Sequence, residues 1–175
     1  MHELIIAGAQ FQARRAQADC QLLLHCDPND APQIGRLTGL DLPDVMLTSG
    51  QAGGWHALHL SPDEWLLIAN ADEANLGSRF AAASQQFPLS LVDVSERSLS
   101  LDIDGDDATL LLNGACPVDF DTFQLGGCTR TLIGKVTVML WRRGQTVRMS
   151  YPRSYDAYVC GLLTAIGADL AQGAR

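Results

Sequence analysis

Only one lysine, Lys135, stands among the 12 basic residues, against 20 acidic ones, and the net charge is −8. A surface with that balance repels phosphate backbones and anionic headgroups, so neither nucleic acid nor a membrane is an expected partner. Long apolar runs are missing too: none reaches the ~20 residues that span a bilayer. No basic stretch followed by an apolar one opens the chain, so no secretory leader is expected. Cysteine is sparse. Cys20, Cys26, Cys116, Cys128 and Cys160 are odd in number and lack tight spacing, which suits a reducing compartment and excludes a disulfide framework. Together these absences predict a cytoplasmic protein.

Signatures of self-contained chemistry are absent as well. There is no Cys-x-x-Cys pair and no acidic run with calcium-loop spacing. His56 and His59 lie three apart on a predicted strand, where alternation sends them to opposite faces, so they read as surface or packed histidines. Ser95, in Asp93-Val94-Ser95-Glu96-Arg97, has no Gly-x-Ser-x-Gly elbow around it. No cysteine has a context that lowers its pKa, and all five read as inert thiols. The glycines at 50–54 and at 126–127 fit neither a dinucleotide nor a Walker pattern and read as turn residues.

What is present is an approximate internal repeat. Leu22, Leu24, Cys26 and Asp27, moved by 77 positions, fall on Leu99, Leu101, Ile103 and Asp104, while Asp30-Ala31 falls on Asp107-Ala108 and Ile34 on Leu111. Alternating apolar residues followed by an acidic turn predict a strand entering a helix. Asp30 or a neighbour is the expected N-cap of the first helix and Asp106 that of the second, and Gly114 is the expected left-handed residue ending the second helix. In the earlier copy, strands are predicted at 55–60 and 65–69 around Ser61-Pro62-Asp63, with 39–54 loop-like and a helix from about Asp72. In the later copy, a strand is predicted at 133–141, a turn at Arg143-Gly144 and a return strand through Val147, Met149 and Tyr151. A final helix from about Ser154 carries the stripe Tyr155, Tyr158, Val159, Leu162, Leu163, Ile166 and Leu170. Residues 89–94 link the copies and are expected to add to the first strand of the later one.

Each copy, about 20–86 and 97–168, therefore reads β-α-β-β-α. The fold class is α+β, two similar units with mixed or antiparallel sheets and helices. The whole of 1–175 is expected to form one domain, long enough to bury a core without staples.

Aromatic and arginine residues gather at a few places: Trp141 and Arg142 at a strand end, Arg153 and Tyr155 at the start of the last helix, Arg130 and Lys135 flanking a strand. They are either a solvated hairpin tip and helix start, or a subunit interface, where such residues are enriched.

Five ordered stretches resemble one family. Leu60-Ser61-Pro62-Asp63-Glu64-Trp65-Leu66 resembles the Gly/Ser-Pro-Asp-Glu-Trp-Leu signature of sarcosine oxidase gamma subunits. Asp93-Val94-Ser95-Glu96-Arg97 resembles its Asp-x-Ser-x-Arg segment, and Ala115-Cys116-Pro117-Val118-Asp119 its Gly-Cys-Pro-Leu-Asp stretch. Cys128 to Lys135 with Leu140-Trp141-Arg142 resembles its Cys-x-Arg-Thr-Leu-x-Gly-Lys and Leu-Trp-Arg run. Arg153-Ser154-Tyr155-Asp156-Ala157-Tyr158 is similar to its last helix start, with a slight departure at 155–157. The resemblance covers about residues 58 to 163. It implies a non-catalytic subunit of a heterotetrameric sarcosine oxidase whose flavoprotein partners, the alpha, beta and delta subunits, bind FAD, covalent FMN, NAD and tetrahydrofolate. It also implies a fold related to the folate-binding domain of the glycine-cleavage aminomethyltransferase. It carries no catalytic, cofactor-binding or metal-binding residue onto this chain. Two competing readings are a short aminomethyltransferase-like protein that binds folate itself, and an adaptor domain outside sarcosine metabolism. Thiol titration of the denatured, unreduced chain should count five free cysteines; a lower count would show a disulfide.

Overall fold

The computed structural model describes residues 4–7, 10–17, 19–70 and 76–173. In chain order the elements are β1 (Leu4–Ala7), β2 (Gln12–Arg15), β3 (Asp19–Cys26), α1 (Ala31–Thr38), β4 (Ser49–Ala52), β5 (Trp55–Ser61), β6 (Glu64–Asn70), α2 (Leu76–Ala83), β7 (Leu89–Asp93), β8 (Ser98–Asp104), α3 (Ala108–Asn113), β9 (Cys128–Ile133), β10 (Val136–Arg143), β11 (Thr146–Pro152) and α4 (Asp156–Gly173). The chain divides into two units, residues 18–96 and residues 1–17 with 97–175. Each has its own sheet and its own core, and every strand pairing is antiparallel.

In the unit of residues 18–96 the strand order is β4-β5-β6-β3-β7. Leu24 and Cys26 of β3, Trp55 and Ala57 of β5, and Trp65 and Leu67 of β6 form a core with Ile34 of α1 and Phe80 of α2. Pro32 falls in the first turn of α1, where its missing N–H breaks no helical bond. Asp30 stands at the N-cap position without a side-chain cap. The turn is closed instead by Asp27, whose carbonyl accepts from the Asp30 and Ala31 N–H groups. Gly39 ends α1 in the left-handed conformation, φ 70°, which costs glycine little. The described part of α2 begins at Leu76; the expected start at Asp72 lies outside the described residues.

In the other unit the order is β9-β10-β11-β8-β2-β1. Leu101, Ile103, Leu111, Leu112, Val138, Leu140, Met149, Val159 and Leu163 form its core. Within the expected stripe of α4, Val159 and Leu163 are buried, and Leu162, Ile166 and Leu170 pack against the core. Tyr155 instead lies in a 3-10 turn, Arg153–Tyr155, and α4 proper starts at Asp156. The N-cap position of α3 is held by Asp107, not Asp106. Gly114 is right-handed, φ −70°, because the chain coils on: the Ala115 and Cys116 N–H groups both donate to the Leu112 carbonyl. Its use is close approach, since a Cβ there would stand 3.0 Å from Ile166.

Several sequence expectations change. Each hairpin region has three strands rather than two. β4 occupies part of the stretch read as loop. The stretch read as one strand from 133 is the hairpin β9–β10, turning at Gly134-Lys135. Residues 89–93 do not extend β8; they pair with β3 of the earlier copy, Leu24 opposite Leu91. Its counterpart is β2, 77 positions earlier (12 to 89), which pairs with β8 of the later copy, Ala13 opposite Ile103. The strand that leads into each copy is thus built into the sheet of the other. Leu111 is fully buried, so Leu111→Ala should cost about 2–5 kcal/mol. It should lower the urea midpoint with an unchanged slope.

Candidate subunit interface

Pleating decides where the hairpin residues point. Val136, Val138 and Leu140 face the core of their unit, so Met139 and Trp141 take the opposite face and Arg142 returns to the first. The neighbouring Trp141 and Arg142 therefore do not share a surface. Trp141 is 2% exposed, with the Arg143 guanidinium 4.7 Å from its ring centroid, so it is no open contact residue. Arg142 is half-buried; its Nη1 donates to the Phe120 carbonyl at 3.2 Å and to the Phe123 carbonyl, fixing the loop before β9. Arg130, opposite Met139 on the outer strand β9, is exposed. Lys135 is exposed in the turn, its Nζ 5.0 Å from the Tyr158 ring centroid. Gly134 has φ 54°, and a Cβ there would stand 2.3 Å from the Tyr158 hydroxyl, so the Gly-Lys turn and the tyrosine fit only with glycine.

At the start of α4, Arg153 and Tyr155 are both exposed, Tyr155 at 43%. Behind them is a cluster that sequence reasoning missed. Arg15 of β2 donates to both carboxylate oxygens of Asp156, at 2.8 and 3.0 Å, and to the Tyr151 hydroxyl at 2.7 Å. The Tyr151 hydroxyl donates to Asp156 at 2.8 Å, and Cys160 Sγ lies 3.6 Å from the same oxygen. Burial would raise the Asp156 carboxyl, but the hydrogen bonds from Arg15 and Tyr151 outweigh it and hold it below the usual range. Burial and the Asp156 carboxylate push the Cys160 thiol up. The same burial, with the hydroxyl committed to Asp156, raises Tyr151. The group is a clasp that ties β2 to α4, with its thiol held protonated.

The family-like motifs in the other unit are also spent on structure. The Asp63 carbonyl accepts from the Cys26 N–H, and Glu64 pairs with His25 at 3.4 Å. Trp65 stacks on His59 with centroids 4.3 Å apart, and its Nε1–H donates to the Pro43 carbonyl at 3.0 Å. His59 is buried and His56 half-buried. Ser95 donates its hydroxyl and its N–H to one oxygen of Asp93, at 2.6 and 2.9 Å, while its Oγ accepts from the Gln21 N–H. Those bonds hold the Asp93 carboxyl below its ordinary value. The motif is a turn that returns the chain beside β3. All five cysteines are free; burial raises Cys20 and Cys116, and takes Cys26 up to about 11. Among the described residues no group of three or more His, Cys, Asp or Glu side chains is placed to hold a metal ion. No helix is long and apolar enough to cross a membrane among those residues.

This two-sheet α+β architecture is the aminomethyltransferase-like fold. Glycine cleavage system aminomethyltransferase T from Bartonella henselae superposes with a TM-score of 0.67 at 12% identity, covering 89% of this chain and 46% of that one. Heterotetrameric sarcosine oxidase from Corynebacterium sp. U-96 contains a chain that superposes with a TM-score of 0.84 at 27% identity, covering 95% of this chain and 88% of that one. In sequence, sarcosine oxidase subunit gamma from Corynebacterium sp. (strain U-96) is 32% identical over 124 residues, 69% of this chain and 60% of that protein. The Arthrobacter sp. subunit gamma is 32% identical over 120 residues, 67% of this chain and 59% of that protein. No protein-family model matches. In sequence and in structure the chain is thus similar to sarcosine oxidase gamma subunits. The matched stretch spans about three fifths of the length of these relatives.

A depressed carboxyl stabilises the fold above its unfolded pKa, about 3.9, and that contribution fades as pH falls through the folded value. Asp156→Asn should therefore lower the urea midpoint at pH 7. The gap from the unaltered chain should begin to narrow as pH falls below about 4, where the unfolded chain's carboxyl takes up a proton, and should close as pH passes the lower value of the folded carboxyl. A gap that stays constant from pH 7 to pH 3 would exclude the clasp as its source.

Proposed function

We propose that the chain is a non-catalytic, cytoplasmic gamma subunit of a heterotetrameric sarcosine oxidase, working by packing against flavoprotein alpha, beta and delta subunits. Those partners carry FAD, FMN, NAD and tetrahydrofolate and perform the oxidative demethylation of sarcosine. The observation that carries this reading is the likeness to a chain of the solved oxidase over 88% of that chain's length. The Cys160 thiol held in the clasp, the burial that raises Cys20, Cys26 and Cys116, and the motif residues engaged in turns support a part in assembly over a part in chemistry. Arg130, Lys135, Arg153 and Tyr155 are the exposed members of the candidate contact set; Trp141 and Arg142 support it from within the chain. The aminomethyltransferase likeness favours a second reading, a stand-alone folate binder, but extends over only 46% of that enzyme.

Co-expression with the partner subunits followed by size-exclusion chromatography tests the first reading. The chain should co-elute with them. Arg153→Glu with Tyr155→Glu should weaken co-elution while leaving the melting temperature of the isolated chain within a few degrees, as surface changes do. Trp141→Glu should instead cost about 3–5 kcal/mol of folding, because the indole is buried. Elution alone, together with binding of tetrahydrofolate in equilibrium dialysis, would favour the folate reading.

A further inference from the structure

Between α1 and β4 the chain makes a short excursion whose two ends are fixed. At one end the Pro43 carbonyl accepts from the Trp65 indole N–H at 3.0 Å. At the other the Leu47 N–H donates to the His59 carbonyl at 2.8 Å, and the His59 N–H to the Thr48 carbonyl at 3.0 Å. His59 and Trp65 are stacked on each other, so both ends rest on one rigid platform. The Thr48 hydroxyl closes the loop by donating to the Val45 carbonyl at 2.6 Å. Out of this frame project three consecutive apolar side chains: Val45, 61% exposed, Met46, 45%, and Leu47, 43%. A solvated loop has no physical use for such a run, and exposed runs of this kind mark contact sites. Leu47 is also the one non-glycine residue with positive φ among the described residues, at 63°. That conformation is costly for a bulky side chain and persists where function holds it. Asp41 and Asp44, both exposed, flank the run on its N-terminal side.

We propose that the knuckle Val45–Leu47 is an anchor that seats in an apolar socket, rimmed by arginine or lysine, on another subunit of the oxidase. The inference rests on the subunit reading above and names a contact on the unit of residues 18–96, to which no residue of the candidate set belongs. The acidic flank defines the charge of the socket's rim, and the rigid platform keeps the ordering cost of docking low.

The test co-expresses the partner subunits with the unaltered chain, with the triple variant Val45→Ser, Met46→Ser, Leu47→Gly, and with Leu47→Gly alone. The triple variant should weaken assembly roughly tenfold or more, as loss of a hot spot does. Leu47→Gly should weaken assembly without lowering the melting temperature of the isolated chain, because glycine relieves the left-handed strain. Asp41→Lys with Asp44→Lys should weaken it further at low salt than at high salt. Should the triple variant fail to fold, Leu47→Gly decides. If the unaltered chain and the folded variants co-elute equally, the anchor is wrong and the subunit reading stands. If the unaltered chain never co-elutes, both fall. If it forms a homodimer that the variants abolish, the occupant is a second copy and the proposed socket is wrong.

Discussion

The strands β3 and β8 each carry a paired neighbour on both edges, and the constraint they embody governs the fold: a buried strand must have its backbone donors and acceptors met on either side. One side of each is met by the local hairpin, β6 beside β3 and β11 beside β8. The other side cannot be met by the same copy, whose remaining elements are the helix and the outer hairpin strands. It is met by the strand that leads into the other copy, β7 for β3 and β2 for β8. Helices then cover one face of each sheet and close a separate core over it.

The family's motif residues serve these junctions. Glu64 and Asp63 turn the chain from β5 into β6 and tie it to the end of β3. Asp93 and Ser95 turn it from β7 toward β8. Gly134 makes the sharp β9–β10 reversal under Tyr158, and Asp156 gathers Arg15 and Tyr151 where β2 meets the last helix. Hydrogen-bonding capacity used in this way is withdrawn from chemistry: the Ser95 hydroxyl proton is given to Asp93, and the thiols are raised by burial.

Legibility from sequence followed the strength of local patterning. The alternation through Leu22–Cys26, Leu99–Ile103 and Val136–Trp141 located β3, β8 and β10, and the stripe through Val159 and Leu163 located α4. Ser49–Ala52 has no apolar alternation to reveal β4. In Cys128–Trp141 the apolar character runs across Gly134-Lys135 and hides the reversal. β2 reads Gln-Ala-Arg-Arg and shows no pattern at all, and residues 89–94 read as a link adding to β8 because the true partner of β7 lies some 70 residues back (24 to 91). At the candidate interface, alternation alone separates Trp141 from Arg142; composition drew them together. The clasp around Asp156 joins residues 141 apart and leaves no local trace. The exposure of Val45–Leu47 depends on where Trp65 and His59 hold the loop, which no local pattern records.

The placement of β2 has a consequence for synthesis. Its partners on β8 lie between Leu101 and Asp104, so on the ribosome this strand, with β1 alone on its other edge, waits while everything from β3 to β7 is made and can close on itself. Gln12 meets Asp104 only after 92 further residues (12 to 104), a delay of roughly 5–20 s at ordinary elongation rates of about 5–20 residues per second. A waiting strand that were apolar would be an open template for aggregation. The two arginines and the glutamine of β2 keep it solvated through that interval. The polar character that conceals this strand from a hydrophobic pattern is the property that lets it wait.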